Sequence, residues 1–131
     1  MVWRIIEEAG AGDRTLVVSE STPTIRRFRE VSGGRVATAS SSAELILFWL
    51  LSRLGLSRSV RPHYQALQGP ETYHGLRIVT PGIIRAAHGQ GLRVDVWSID
   101  HEPDMRRLLG YGVDGIMTDR PDILAKVLQG A

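Results

Sequence analysis

Several side chains able to bind or transform a ligand lie where predicted strands end. They are Ser19-Glu20, Ser40-Ser41, Gln68, Trp97-Ser98 and Thr118-Asp119. In parallel α/β sheets and in (β/α)8 barrels, ligands bind at the carboxyl ends of the strands. The spacing therefore predicts one polar edge built from segments far apart in the chain.

Trp97 is the most distinctive of these residues. The run V-D-V-W puts Val94 and Val96 on one face of a strand, and Asp95 and Trp97 on the other. An indole at the rim suits an apolar ligand surface, such as a glycerol backbone or a sugar face. It suits a plug over the sheet equally well. The residues alone leave both interpretations open.

The carboxylates at this edge are ambiguous. Asp119 stands before Arg120-Pro121, with Asp122 three residues on, a pattern typical of a helix N-cap. Capping is the favoured interpretation over acid chemistry. Glu20 is similarly ambiguous before Ser21-Thr22-Pro23. No spacing fixes a pair of carboxylates at a catalytic distance.

The histidines offer little chemistry. No two of His63, His74, His88 and His101 share a metal-ligand spacing on one helix face. His88 falls in the last turn of a predicted helix, which favours a structural role. His101 follows a strand end and is the one candidate for catalysis. Cysteine and the glycine-rich nucleotide and serine-hydrolase motifs are missing from the sequence.

Strands and helices are predicted to alternate along the chain. Glycines and prolines mark the boundaries of helices, and each strand is short and β-rich. The predicted strands are Thr15 to Ser19, Val36 to Ala39, Leu92 to Ser98 and Gly115 to Thr118, with Tyr64 to Gln68 as a further short strand in the irregular stretch from Ser57 to Gly75. Helices are expected over Val2 to Ala9, after Ser21-Thr22-Pro23, over Ala43 to Leu54, from Thr80-Pro81, after Asp100 as a cap, and from Pro121. Such alternation requires parallel pairing.

Composition is that of a globular α/β domain. The 131 residues are 43% apolar with a net charge of +2, and basic side chains are interspersed with acids. That distribution argues against a nucleic-acid interface. The longest apolar run, Leu45 to Leu51, is far below the roughly 20 residues that span a bilayer, and the N-terminus lacks a secretory signal. We expect one domain over residues 1–131, without nucleic-acid partners or a membrane span, in the cytoplasm.

Several segments resemble the glycerophosphodiester phosphodiesterase family. The most specific are GLRVDVWSID, Gly91 to Asp100, and GVDGIMTDRP, Gly112 to Pro121. They are similar to the family's last two strands. Weaker matches are Phe28-Arg29, QALQ from Gln65 to Gln68, IVTP from Ile78 to Pro81, and AAH from Ala86 to His88. Ser98 stands where threonine is usual.

The resemblance implies the C-terminal half of a (β/α)8 TIM barrel, with about four parallel strands alternating with helices. A barrel of this type needs about 250 residues. The family's catalytic histidine pair and the acidic ligands of its divalent cation, Ca²⁺ or Mg²⁺, belong to the first half. No His-Arg or Glu-x-Asp step occurs in this chain. We therefore expect no catalytic residue, no metal ligand and no activity here, with Trp97, Gln68 and Asp119 as substrate-binding positions at the rim.

Two hypotheses follow from the resemblance. The chain is either a fragment of a metal-dependent enzyme that hydrolyses glycerophosphodiesters to glycerol 3-phosphate and an alcohol, or a non-catalytic half-barrel. The half-barrel would pair with a second copy or with a separate N-terminal half, because open strand edges and an uncovered face favour association. Another phosphate-binding barrel would need a glycine-rich loop after the last strands, which the sequence lacks.

Overall fold

The computed structural model describes residues 1–130 as alternating strands and helices. Two single 3₁₀ turns, Gly12–Arg14 and Ser57–Ser59, lie between elements. The helices are α1 (Val2–Glu8), α2 (Thr22–Ser32), α3 (Ser42–Arg53), α4 (Pro81–Gly89), α5 (Glu102–Tyr111) and α6 (Pro121–Gln129). The strands are β1 (Leu16–Val17), β2 (Ala37–Thr38), β3 (Ala66–Pro70), β4 (Thr72–Tyr73), β5 (Leu76–Arg77), β6 (Arg93–Trp97) and β7 (Gly115–Ile116).

Five of the strands are parallel neighbours. β1 pairs with β2, and β3 pairs with β6, which pairs with β7. A parallel bridge from Ala39 to Ala66 joins the two groups. The spatial order β1, β2, β3, β6, β7 follows the chain order, as in a singly wound barrel, whereas a doubly wound sheet reverses direction. The parallel α/β arrangement predicted from sequence is confirmed.

The count of about four parallel strands was too low. The short strand predicted over Tyr64 to Gln68 exists as β3, over Ala66–Pro70, and it pairs with β6 along all five residues. Pro62 and Pro70 obscure it in the sequence, since proline removes a ladder donor. β4 and β5 form a separate antiparallel hairpin that directly follows β3.

One continuous apolar core lies between the sheet and the helices. Val94 and Val96 of β6 contribute to it from the sheet, and Phe48 of α3, Ile84 of α4 and Leu108 of α5 contribute from the helices. These side chains are at most 3% exposed. The alternation predicted for V-D-V-W is therefore confirmed on its apolar side.

A partly buried ion pair links α2 to α3. Arg29 donates from Nη1 and Nη2 to the two carboxylate oxygens of Glu44, at 2.7 and 3.0 Å. Its Nε donates to Thr38 Oγ1 at 2.9 Å. Glu44 also accepts from the backbone N–H of Ser41, which completes a capping box at the start of α3. Burial raises the pKa of Glu44, but the bonds from Arg29 and Ser41 outweigh it, and the net pKa lies below 4.5.

The sheet face opposite this core carries polar side chains. We call it the open face, and Gln68, Arg93 and Asp95 mark it.

Among the helices of residues 1–130, none combines the length and the apolar composition that a membrane span requires.

Candidate functional site

A cavity of about 500 Å³ lies at the carboxyl ends of the parallel strands. We call it the mouth cavity. Residues at the ends of β1, β2, β3, β6 and β7 line it together with the start of α3 and the β4–β5 hairpin. Its lining side chains include Val18, Glu20, Ser40, Leu45, Gln68, Tyr73, Trp97 and Met117. Four of the five predicted strand ends therefore contribute to this cavity, through Glu20, Ser40, Gln68 and Trp97.

Trp97 lies at the end of β6 and forms part of the cavity wall. Its partner across the ladder is Pro70 at the end of β3. The peptide bond from Trp97 to Ser98 is cis. The side chain is partly exposed and borders open space. This position matches the ligand-wall interpretation better than a plug, and contact with substrate stays a prediction.

The Gln68 side chain is bound by Asp95, which Arg93 binds in turn. Its Nε2 donates to Asp95 Oδ2 at 3.4 Å, and Asp95 Oδ1 accepts from Arg93 Nη2 at 3.0 Å. Gln68 and Asp95 are 8% and 5% exposed. Gln68 lines both the mouth cavity and a second cavity of about 470 Å³ deeper on the open face. Its amide is therefore positioned at the floor of the mouth, and its role in binding stays a prediction.

Asp119 is not among the residues lining the mouth cavity. Met117, two residues earlier, is the β7-end residue that lines it. The predicted capping role is also wrong, since the N-cap of α6 is Arg120 and no side chain caps that end. The backbone N–H of Asp119 instead donates to Asp100 Oδ1 at 2.8 Å. A part for Asp119 in substrate binding remains a prediction.

Asp100 ties two strand ends together. The sequence predicted it as the cap of α5, but His101 occupies that position without a side-chain bond. Asp100 Oδ1 accepts from Thr118 Oγ1 at 2.8 Å as well as from Asp119. The bond from Thr118, followed by that from the Asp119 backbone, lowers the pKa of Asp100 below 3.8. The tertiary contact replaces the local cap and links the segments that follow β6 and β7.

The histidines lie outside the mouth cavity. His101, the candidate for catalysis, lines a separate shallow groove beside Asp104. His88 Nε2 lies 2.8 Å from Asp114 Oδ2, at the ends of α4 and of the loop before β7. The carboxylate also accepts from the Val94 backbone. The structural role predicted for His88 agrees with this contact.

Sequence reasoning missed the hairpin that borders the mouth. Tyr73 of β4 lines the cavity, and the hairpin turns at His74-Gly75, whose φ angles are 48° and 77°. Two residues with positive φ joining two short strands make a type I′ hairpin. Arg107 of α5 anchors its base, with Nη1 at 2.7 Å from Glu71 Oε1. A two-residue loop ending in glycine was the available signal.

The part of the chain that the structure describes holds no cluster of metal-binding side chains. Within residues 1–130, no three His, Cys, Asp or Glu side chains are arranged to hold a metal ion. The described residues at the mouth do not by themselves form a ligand set for the divalent cation that the family resemblance implies.

A protein-family model matches most of the chain. The model of the "Glycerophosphoryl diester phosphodiesterase family" matches residues 4–123. A Mycobacterium tuberculosis protein named "Probable glycerophosphodiester phosphodiesterase 2" is 34% identical over 128 residues, which are 95% of this chain and 48% of that protein. The chain thus spans about half the length of this curated relative.

Solved structures show the same fold. A glycerophosphodiester phosphodiesterase from Agrobacterium tumefaciens superposes with a TM-score of 0.72 at 22% identity, over 98% of this chain and 51% of the other. One from Parabacteroides distasonis gives 0.68 at 18% identity, over 97% and 48%. The strands and helices of this chain therefore correspond to about half of each structure.

Proposed function

Since this chain belongs to the glycerophosphoryl diester phosphodiesterase family, we propose that it forms the substrate-binding C-terminal part of a (β/α)8 barrel. The complete barrel would hydrolyse glycerophosphodiesters to glycerol 3-phosphate and an alcohol. The observation that carries the proposal is the mouth cavity, which lies at the strand carboxyl ends with Trp97 and Gln68 in its wall. Active sites of (β/α)8 enzymes lie at this end of the barrel.

The number of parallel strands indicates how much of the barrel another segment would have to supply. A (β/α)8 barrel has eight parallel strands, and this chain supplies five of them. Three further strands would close the ring. Two copies of this chain would bring ten, which favours an N-terminal part with three strands over self-pairing. The coverage of about half of each solved structure points the same way.

The open face supports the same conclusion. Val18 and Met117, which line the mouth, are 48% and 41% exposed. β1 and β7 each have a parallel neighbour on one side only. Unpaired edges and exposed apolar side chains bind further strands readily. A three-strand segment bearing the remaining barrel interior is the complement that this surface fits.

Chemical roles would then be divided between the two parts. The N-terminal part would supply the catalytic histidines and the carboxylates for Ca²⁺ or Mg²⁺, because the described residues of this chain form no such set. This chain would supply the wall that holds the organic portion of the diester, with Trp97 and Gln68 in contact and Asp119 at the outer rim.

Hydrolysis assays test the proposal. We expect the 131-residue chain alone to release no glycerol 3-phosphate from glycerophosphocholine with Ca²⁺ or Mg²⁺. The same chain extended through the genomic reading frame upstream of Met1 should be active. In that longer protein, Trp97→Ala should lower kcat/KM by about tenfold, or about 1.4 kcal/mol. Trp3→Ala on α1 is the matched control and should have little effect.

One result would contradict the division of roles. Metal-dependent turnover by the 131-residue chain, above that of its own Trp97→Ala variant, would show that the chain holds a complete active site.

A further inference from the structure

Glu20 is the one charged side chain among the described residues that line the mouth cavity. It follows β1, and its backbone carbonyl accepts from the N–H of Ser42 at 3.2 Å, which fixes it beside the start of α3. Its side chain is exposed and makes no ion pair with another described residue. By contrast, Glu44 and Asp95 are bound by arginines. The negative charge of Glu20 is therefore available to a ligand.

The two aromatic side chains that line the mouth cavity differ from the other tryptophans and tyrosines in their contacts with arginine. The chain has three tryptophans and three tyrosines. Four of these rings carry an arginine guanidinium within 6 Å of the centroid, namely Trp3, Trp49, Tyr64 and Tyr111. The two that carry none among the described residues, Tyr73 and Trp97, both line the mouth cavity. The Tyr73 ring also makes a T-shaped contact with the His74 ring, at a centroid distance of 4.3 Å. An organic cation binds an aromatic ring that carries no other cation through cation–π attraction.

We propose that Glu20, with Trp97 and Tyr73, makes the mouth selective for diesters whose alcohol carries a positive charge, of the choline or ethanolamine class. This inference rests on the proposed function. The phosphate would bind away from this wall, because no Lys or Arg is among the described residues that line the mouth cavity. A bare divalent cation fits less well, since it needs about six oxygen ligands and Glu20 is a single carboxylate.

Binding of two diesters that differ in the charge of the alcohol tests the proposal. Glycerophosphocholine and glycerophosphoglycerol are titrated at low ionic strength into the ¹⁵N-labelled 131-residue chain, and the Trp97 indole N–H is followed. Glycerophosphocholine should bind about fivefold more tightly. Glu20→Gln should remove most of that preference without weakening the binding of glycerophosphoglycerol. Glu30→Gln on α2, which removes the same charge from an exposed pair with Arg27, should preserve the preference.

The outcomes separate this inference from the proposed function. Equal affinity of the wild-type chain for the two diesters overturns the selectivity while leaving the substrate wall in place, and this comparison needs no variant. Binding of neither diester overturns the substrate wall and therefore both proposals. If Ca²⁺ without diester shifts the Trp97 signal in the wild type and not in Glu20→Gln, the residue is a metal ligand and the selectivity is wrong.

Discussion

The two faces of the sheet differ in how completely their side chains are partnered. On the helix side, Val94 and Val96 lie in a closed apolar core with Phe48 and Leu108. On the open face, Trp97 borders a cavity of about 500 Å³. Both faces come from the same strand through simple alternation. The difference shows that the helix side is packed within the described residues, whereas the open face keeps a large side chain beside open space.

The largest effect should come from removing a core side chain. Phe48 is 0% exposed, and Phe48→Ala should lower the free energy of unfolding by about 3–5 kcal/mol, because a cavity remains in a closed core. Trp97→Ala on the open face should cost less than a third of that, although its side chain is larger. Chemical denaturation of both variants measures the contrast. Equal losses would mean that the open face is as tightly packed as the core.

A second contrast concerns charge. Glu44 is paired with Arg29, and their side chains are 17% and 13% exposed, whereas Glu20 faces the mouth cavity. Glu44→Gln should cost about 2 kcal/mol at pH 7, the scale of hydrogen bonds to a charged group. Glu20→Gln, the matched control, should change stability little.

The stability difference between the wild type and Glu44→Gln should depend on pH in a definite direction. The folded pKa of Glu44 lies below 4.5, so the folded state holds the ionised form more strongly than the unfolded state. Its contribution is therefore present above about pH 4.5 and is lost as pH falls through the folded pKa. The stability gap between wild type and Glu44→Gln should narrow below that pH. A gap that widens on acidification would contradict the assigned pair.

How far the sequence predicts each face depends on the range of the contacts. The spacing of apolar residues predicted the buried sides of the helices, and the V-D-V-W alternation predicted Trp97 at the strand end. Both are local patterns. Asp119 and Asp100 were assigned as caps on equally local grounds, but the Thr118 hydroxyl and the Asp119 backbone N–H bind Asp100 across two strand ends. The local signal for the hairpin of Tyr73 was overlooked, and the sequence does not show that this hairpin borders the mouth cavity. Only tertiary contacts decide such positions.

The smallest predicted effect tests whether the side chains of the open face beneath the mouth cavity are tightly packed. A Cβ added at Gly115 would lie 2.5 Å from Asp95 Oδ1, and Arg93 and Gln68 hold that carboxylate in place. Gly115→Ala should therefore cost about 1–2 kcal/mol through overpacking. Gly110→Ala in α5, where nothing lies within 4 Å, should instead stabilise by up to about 1 kcal/mol through helix propensity.

A double mutant shows whether Asp95 causes the cost. In an Asp95→Ala background, Gly115→Ala should cost close to nothing, and thermal unfolding of the four species gives the coupling. An unchanged cost would mean that a group other than Asp95 causes it, and a cost near zero already in the wild-type background would mean that Asp95 moves aside freely. A large coupling would mean that Asp95 is held firmly beneath the mouth cavity. Only the residues at the rim of the cavity would then be loosely packed.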